Sequence, residues 1–260
     1  MSGPCLDLVL CMAGIYRRFR EAGYQQPKFL LPWGGRTILD HVLDGLLDGG
    51  AFAQVVLVAN ERDVAYRPDL ELALARIGRD PRGLVFIGDT RGQAETALIG
   101  LAHRERAFGT LSSSSTSDQS AHDGPVAFHN IDTILTGRDW NAVAQQMVDL
   151  DGWIDIFTAD SPAYSYVALN EQGLVVDIVE KRVISRHATS GFYAFSSASC
   201  YREAATLAAT SLGEFYISDV YRALLRSSGR IGAGGAEKTS DTCILGTPAE
   251  YEAACQENHP

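Results

Sequence analysis

The sequence has few basic residues, and this low number limits the kinds of molecule that the protein is expected to bind. Its 260 residues carry 22 Lys and Arg against 32 Asp and Glu, which leaves a formal net charge of −10. A surface that binds nucleic acid needs a basic face, so we expect no nucleic-acid partner. A bound phosphate would have to be attracted by a few local cations, because the overall charge of the chain repels anions.

Several other features are absent. The five cysteines include no Cys-x-x-Cys pair and are odd in number, which argues against a structural zinc site or a disulfide framework. No histidines have metal-ligand spacing. No apolar run is long enough to span a membrane, and no signal-peptide pattern is seen. We therefore expect a soluble, cytoplasmic protein without a membrane partner.

Two common catalytic motifs are also missing. The sequence has no Gly-x-x-x-x-Gly-Lys-Ser/Thr phosphate loop and no Gly-x-Ser-x-Gly elbow, so it gives no support to a P-loop kinase or a serine hydrolase. What it does have is a 46% share of hydrophobic residues, which is ample for a large core. The length suits one large α/β domain or two small ones.

The most informative stretch is residues 6–43. The apolar run Leu6–Met12 predicts a buried strand, a loop with Gly14 follows, and an amphipathic helix begins near Thr37. Such a unit builds anion sites at the carboxyl edge of an α/β sheet. Cations so close together favour a polyanion such as a triphosphate as the ligand. The cations of this loop are Arg17, Arg18 and Lys28.

The rest of the chain alternates between predicted strands and helices, which predicts an α/β fold with a mixed, mostly parallel central sheet flanked by helices. A hairpin is predicted around residues 170–173. The low-complexity segment 110–124 is interpreted as a mobile surface loop, either a plain insertion or a lid. Strands are predicted at 54–59, 84–87, 125–129 and 152–159. Helices are predicted at 61–78 with a break at Pro68, at 138–148 and at 198–209. Two more helices are predicted to begin after Gly92 and after a cap at Ser218 or Asp219.

Two polar positions follow predicted strands. Asp132 comes just after strand 125–129, where a carboxylate is well placed to hold Mg²⁺. The alternative is that Asp132 only caps the next turn. Gln93 lies at the start of a predicted helix, where its amide could pair with the edge of a nucleobase. The alternative is an ordinary helix start with Gln93 in solvent.

Taken in order, these motifs resemble the signature of nucleotidyltransferases that make sugar nucleotides. That signature reads Ala-Gly-x-Gly-x-Arg-Phe, then Pro-Lys, and ends in Gly-Thr-Pro-x-x-Tyr, which is found here at residues 246–251. The resemblance covers nearly the whole chain. Its second glycine is replaced by Tyr16. The residues that match its first part are Ala13, Gly14, Arg18, Phe19, Pro27 and Lys28.

The resemblance implies a single domain with the Rossmann-like fold of nucleotide-diphospho-sugar transferases, which is also called GT-A-like. Its nucleotide half would be about residues 1–135 and its acceptor half about 136–260. The implied enzyme is a nucleotidyltransferase that couples a nucleoside triphosphate to a phosphorylated sugar, or to a similar small phosphorylated acceptor, and releases pyrophosphate. Mg²⁺ is the implied cofactor, and polysaccharide or glycoconjugate precursor synthesis is the implied setting.

The resemblance also assigns roles to individual residues. Arg18, Lys28 and Asp132 would be catalytic, and Asp132 would bind the metal. Many relatives have a second metal-binding Asp at the position of Ile244, with Asp241 and Asp160 as weaker substitutes here. The implied nucleotide-site residues are Ala13, Gly14, Gln93 and Asn130, and the implied acceptor-site residues are Glu180, Lys181 and Gly191.

Two alternative functions remain open at this stage. Metal-dependent nucleotide-sugar glycosyltransferases of related fold usually carry Asp-x-Asp, whereas residues 130–132 supply one carboxylate. A degenerate relative that binds nucleotide sugars without catalysis would explain the departures at Tyr16 and Ile244. The sequence leaves open the base, the acceptor and the oligomeric state, including a homo-oligomer.

Overall fold

The computed structural model describes residues 5–109, 123–209, 213–235 and 238–257. Within these ranges the strands form one nine-stranded sheet and two small two-stranded sheets. The strands are β1 Leu6–Met12, β2 Pro32–Trp33, β3 Arg36–Thr37, β4 Phe52–Asn60, β5 Leu84–Ile87, β6 Val126–Asn130, β7 Thr133–Leu135, β8 Gly152–Thr158, β9 Tyr166–Leu169, β10 Val175–Val179, β11 His187–Phe195, β12 Ile231–Gly234 and β13 Thr242–Ile244.

Eight α-helices are described in the same ranges, and none of them combines the length and apolar character needed to cross a bilayer. The predicted low-complexity segment falls largely on residues 110–122, which lie outside the described residues. The helices are α1 Arg17–Glu21, α2 Ile38–Leu47, α3 Arg67–Arg76, α4 Gln93–Phe108, α5 Trp140–Gln146, α6 Ala198–Ala208, α7 Ile217–Arg226 and α8 Pro248–Glu257.

The large sheet is mixed, as the sequence predicts. Along its main path the strand order is β10-β9-β11-β6-β1-β4-β5, and β8 and β12 continue from β11. The pairs β1–β4, β1–β6 and β4–β5 are parallel, so the carboxyl ends of these strands meet at one edge. Strand β11 runs antiparallel beside β6 and carries the acceptor half to the same edge. The α/β prediction is confirmed.

The core lies on both faces of β1. Leu8 and Leu10 face one hydrophobic cluster, and Val9 faces the other. A continuous apolar strand is expected where helices cover both faces of a parallel sheet. Helix α4 comes especially close at Gly100, where an added Cβ would lie 2.4 Å from Val9 Cγ1. The position of α4 over β1 fixes where its first turn meets the carboxyl edge.

Local sequence signals explain several helix starts. Thr37 begins α2 with a capping box, because its hydroxyl accepts from Asp40 N at 3.1 Å and Asp40 accepts from Thr37 N at 3.1 Å. Pro68 lies in the first turn of α3 and does not interrupt a helix, since residues 61–66 form a separate 3₁₀ helix. The predicted interruption of the helical segment is therefore found just before Pro68, between the 3₁₀ helix and α3.

The predicted cap of α7 needs a similar correction. Asp219 does cap the helix, but from inside its first turn, where its carboxylate accepts from Tyr216 N at 3.3 Å. Ser218 is not the cap, because its hydroxyl donates to Glu180 Oε2 at 3.0 Å. This bond ties the start of α7 to the end of β10.

Candidate functional site

Two adjoining cavities open at the carboxyl edge of the sheet. The larger, of about 740 Å³, lies over the ends of β1 and β6 and the first turn of α4. The smaller, of about 380 Å³, lies between β6, β11 and the start of α7. Both are lined by the same central group: Arg18, Gln93, Asn130, Asp132, Glu214 and Gly246.

All ten residues that the sequence singled out line one or both cavities. The nucleotide-site group and Lys28 line the larger cavity, and the three acceptor-site residues line the smaller one. Arg18 is shared by both. Arg17 lines the larger cavity alone, with its side chain 78% exposed and paired with Glu21 at 2.8 Å. The structure thus brings the predicted residues together; the role of each stays a prediction.

Lys28 and Asp132 form an ion pair in the larger cavity. Lys28 Nζ lies 2.9 Å from Asp132 Oδ2 and 3.4 Å from the Gly246 carbonyl oxygen. The Lys28 side chain is 8% exposed and that of Asp132 is 29% exposed. Burial alone would raise the pKa of Asp132, but Lys28 outweighs it and leaves that pKa below its ordinary value. Asp132 therefore remains an anion that faces the cavity.

Tyr16 replaces the second glycine of the signature and keeps a backbone conformation that favours glycine. Its φ and ψ are 48° and 37°, in the left-handed region. Its hydroxyl donates to the Met12 carbonyl oxygen, and its ring meets the edge of Phe29 with 6.0 Å between centroids. The ring therefore anchors the loop to the end of β1 and to the core. Tyr16 lines the larger cavity without closing it.

Gln93 begins α4 with its amide nitrogen buried. Within the described part of the chain, Gln93 Nε2 has no hydrogen-bond partner. The turn before it is fixed by close packing, since a Cβ on Gly92 would lie 2.5 Å from the Phe215 carbonyl oxygen. A buried donor without a partner costs stability, so Gln93 Nε2 is suited to a ligand acceptor.

Glu180 and Lys181 lie side by side in the acceptor cavity but differ in their setting. Glu180 accepts from the hydroxyls of Ser165 and Ser218, which hold its carboxylate in place. Lys181 Nζ lies 2.7 Å from the Tyr216 hydroxyl, and its side chain is 55% exposed. The hydrogen bond with Tyr216 raises the pKa of Lys181, so this ammonium remains charged at the cavity mouth.

Gly191 shapes the boundary between the cavities. Its φ is 92°, in the left-handed region, at an irregularity of β11. An added Cβ would lie 2.3 Å from Asn130 Nδ2. Only glycine therefore allows Asn130 to keep its place at the end of β6.

Neither of the two carboxylates that sequence reasoning weighed as a substitute for a second metal ligand, Asp241 and the better placed Asp160, lines either cavity. The Asp241 carboxylate lies against Gly137, where an added Cβ would be 2.8 Å from Oδ2. Asp160 is exposed and lines neither cavity. Among the described residues no group of three or more His, Cys, Asp and Glu is arranged to hold a metal.

The donor set nevertheless fits one Mg²⁺. This ion is commonly bound by one or two carboxylates together with substrate phosphates and water. Asp132 supplies a charged carboxylate, and Gly246 leaves open the space beside it that a side chain would fill, with Asp132 Oδ2 3.7 Å from the position of a Cβ.

Sequence reasoning missed Glu250 and Tyr164 on the far side of this space. The one available signal was the Thr247-x-x-Glu250 spacing of a capping box.

Two curated proteins with related names are similar to this chain. No family model matches the sequence. The chain is 31% identical over 136 residues to N-acetylmuramate alpha-1-phosphate uridylyltransferase of Caulobacter vibrioides, covering 51% of this chain and 48% of that protein. It is 26% identical over 233 residues to UTP--glucose-1-phosphate uridylyltransferase AglF of Haloferax volcanii, covering 88% and 87%. The chain thus spans about half the length of the first relative and most of the second.

A solved structure shows the same fold. The nucleoside-diphosphate-sugar pyrophosphorylase of Vibrio cholerae RC9 superposes with a TM-score of 0.80 at 24% identity, over 96% of this chain and 99% of that one. This likeness shows that the α/β fold of the chain, with its paired cavities at the carboxyl edge of the sheet, is one already seen in a solved structure. The chain is thus similar to two curated proteins that are both named as uridylyltransferases.

Proposed function

We propose that this protein couples a nucleoside triphosphate to a phosphorylated sugar, or to a similar small phosphorylated acceptor, and releases pyrophosphate. The observation that carries the proposal is the pair of adjoining cavities with Arg18 and Asp132 in their shared wall. One cavity has the loop after β1 and the other has Glu180 and Lys181. Two substrates bound in this way would meet beside the shared residues.

The proposed reaction needs little proton chemistry. A phosphate oxygen of the acceptor attacks the α-phosphorus, and the bond from that phosphorus to the departing pyrophosphate breaks. A phosphate monoester has a second pKa of roughly 6, so the acceptor is already largely dianionic near neutral pH and needs no general base. The task of the protein is to align two anions and to stabilise the charge that moves to pyrophosphate.

Three cations divide this task. We assign Arg18 and Lys28 to the triphosphate, because Arg18 lines both cavities and Lys28 lies deep in the larger one. We assign Lys181 to the acceptor phosphate at the mouth of the smaller cavity. Asp132 would hold Mg²⁺, which supplies Lewis-acid stabilisation of phosphate charge when bound.

The nucleotide half and the acceptor half share one sheet through the pairing of β6 with β11, which supports a single working domain. The curated relatives are named as uridylyltransferases, so we propose UTP as the donor and a sugar 1-phosphate as the acceptor class. The product would then be a nucleotide sugar for polysaccharide or glycoconjugate synthesis in the cytoplasm. A homo-oligomer remains compatible with this proposal.

The two alternatives have less support. A glycosyltransferase would need its metal site without the usual second aspartate, and it would have no use for the deep Lys28. A non-catalytic binding protein was suggested by Tyr16, but the Tyr16 ring packs against Phe29 and leaves the cavity open.

The test is pyrophosphate release from each common nucleoside triphosphate, with Mg²⁺, in the presence of a panel of sugar 1-phosphates. We expect release with UTP and one class of acceptor, and a loss of about a hundredfold or more in Asp132→Asn. Sugar transfer from a nucleotide sugar would instead establish the glycosyltransferase. Nucleotide-sugar binding without release from any pair would establish the non-catalytic protein.

A further inference from the structure

A second carboxylate faces the space beside Asp132 from the first turn of α8. A Cβ built on Gly246 would lie 3.4 Å from Glu250 Oε2 and 3.7 Å from Asp132 Oδ2. Because Gly246 has no side chain, no protein atom of this residue separates the two carboxylates. The space opens into both cavities, since Gly246 lines each of them.

Glu250 is held in this direction by two hydroxyl donors. The Thr247 hydroxyl donates to Oε2 at 2.9 Å, and the Tyr164 hydroxyl donates to Oε1 at 3.3 Å. Each carboxylate oxygen accepts more than one bond, so both keep capacity for another partner. Hydrogen bonds of this kind commonly orient metal-binding carboxylates.

The opposite wall of the same space is apolar. Ile244 Cγ2 lies 4.0 Å from the position of the Gly246 Cβ. The position at which many relatives are expected to have a second carboxylate therefore provides a methyl group here, and Glu250 also faces the space. The helix that carries Glu250 begins directly after this strand, so both positions are fixed by the same short segment.

The negative charge around this space favours the binding of a cation. Two carboxylates face it, and Lys28 compensates for one of them at 2.9 Å from Asp132 Oδ2. A triphosphate brought into the larger cavity would be repelled by the remaining negative charge unless a cation lay between them. A divalent cation can bind oxygen ligands from the protein carboxylates and from the triphosphate at the same time, and so offset the repulsion between them.

We propose that Glu250 is the second protein carboxylate of the Mg²⁺ site and binds the ion together with Asp132. The inference rests on the proposed function, because the triphosphate supplies further ligands. Glu250 also belongs to a capping box, in which Glu250 N donates to Thr247 Oγ1 at 3.2 Å. A glutamine serves a capping box as well as a glutamate does, so Glu250→Gln separates the two roles.

The experiment measures metal binding without turnover. Mn²⁺ is titrated into the protein with α,β-methylene-UTP, and free Mn²⁺ is followed by electron paramagnetic resonance. Glu250→Gln should raise the Mn²⁺ dissociation constant about tenfold or more. Glu252→Gln is the matched control: it makes the same change on α8 at an exposed residue that pairs with the Tyr24 hydroxyl at 3.0 Å, and it should bind as the wild type does.

Two further variants make the result decisive. Tyr164→Phe removes one orienting donor and keeps every charge, so it should weaken Mn²⁺ binding less than Glu250→Gln does. Ile244→Asp in the Glu250→Gln background should recover binding, because Ile244 faces the same space. Binding by Glu250→Gln equal to that of Glu252→Gln overturns the inference. If Asp132→Asn still weakens binding in that case, the proposed function stands; if it also binds normally, the metal site of the proposed function fails too.

Discussion

Lys28 Nζ lies 2.9 Å from Asp132 Oδ2, although the two residues are 104 positions apart. The pair joins the loop after β1 to the residue that follows β6. The cation assigned to the triphosphate and the carboxylate assigned to the metal are therefore one electrostatic unit. Binding of either charged ligand has to redistribute the charge of this pair, which couples the two binding steps.

The first prediction concerns the cation of this pair. Lys28→Ala should lower the turnover number about a hundredfold or more, because it removes a buried charge that stabilises the departing pyrophosphate. Arg67→Ala is the control, since Arg67 lines neither cavity and its exposed side chain pairs with Glu71 at 3.4 Å on α3. Pyrophosphate release measures both variants, and circular dichroism checks their folding. Equal rates in the two variants would remove Lys28 from the mechanism.

The second prediction concerns the base of the nucleotide. Gln93→Leu removes the buried amide nitrogen that lacks a partner in the described structure. The KM for the donor should rise about fivefold, because one hydrogen bond is worth about 1 kcal/mol, while the turnover number stays nearly unchanged. Glu95→Gln is the matched control, since Glu95 accepts from Arg91 N at 2.6 Å and lines neither cavity. An unaltered KM in Gln93→Leu would place its amide outside the base site.

The third prediction concerns the boundary between the cavities. Gly191→Ala places a Cβ 2.3 Å from Asn130 Nδ2 and should displace that side chain. We expect kcat/KM to fall by about tenfold or more, since a small displacement at a reacting site is costly. Gly173→Ala is the control, because Gly173 also has positive φ, 75°, but a Cβ there meets nothing within 4 Å.

Both glycine variants should have a lower Tm, because an alanine at positive φ costs about 1–2 kcal/mol. Only Gly191→Ala should lose activity. Similar activity in the two variants, measured well below the Tm of each, would show that the place of Asn130 does not matter.

The fourth prediction concerns a buried carboxylate outside the proposed site. Asp63 is 2% exposed, and its Oδ2 has no hydrogen-bond partner within the described structure. Burial raises the pKa of Asp63, so its charged form destabilises the fold. The stability that Asp63 contributes as a neutral acid is present below its unfolded pKa, near 3.9, and is lost as pH rises through its higher folded pKa.

Asp63→Asn should therefore unfold at higher denaturant concentration than wild type at pH 7, by about 1 kcal/mol. The difference should shrink towards zero as the pH falls to about 4, because the carboxyl is then becoming neutral in wild type too. Urea unfolding at the two pH values measures the effect. Asp69→Asn, at an exposed residue of α3, is the control and should show no such pH dependence. A gain of the same size at both pH values would contradict the electrostatic origin.

Local patterns predicted much of the fold. The strands Leu6–Met12 and Leu84–Ile87 begin and end where their apolar runs do, because burial on both faces leaves a continuous signal. Thr37 begins α2 because its cap is a contact between neighbours in sequence. The place of Asp132 could also be predicted, since the carboxyl ends of parallel strands meet at one edge, whereas the acceptor-site residues were implied only by the family resemblance.

The parts that the sequence did not predict depend on distant contacts. Glu250 belongs to the site because Tyr164, 86 positions away, donates to it and because Gly246 leaves space. Ser218 has the composition of a cap but bonds to Glu180, 38 positions away. Such contacts have no periodicity and no fixed spacing, so they appear only when the chain is folded.

The anchored ring of Tyr16 has a consequence for how this loop can change during evolution. A left-handed conformation normally demands glycine, but here the contact with Phe29 and the bond to the Met12 carbonyl oxygen stabilise it for a bulky residue. We therefore expect positions 16 and 29 to form an epistatic pair: the loss of Phe29 would remove one of the two contacts that hold a tyrosine in this conformation, and glycine at position 16 would then be the less strained choice.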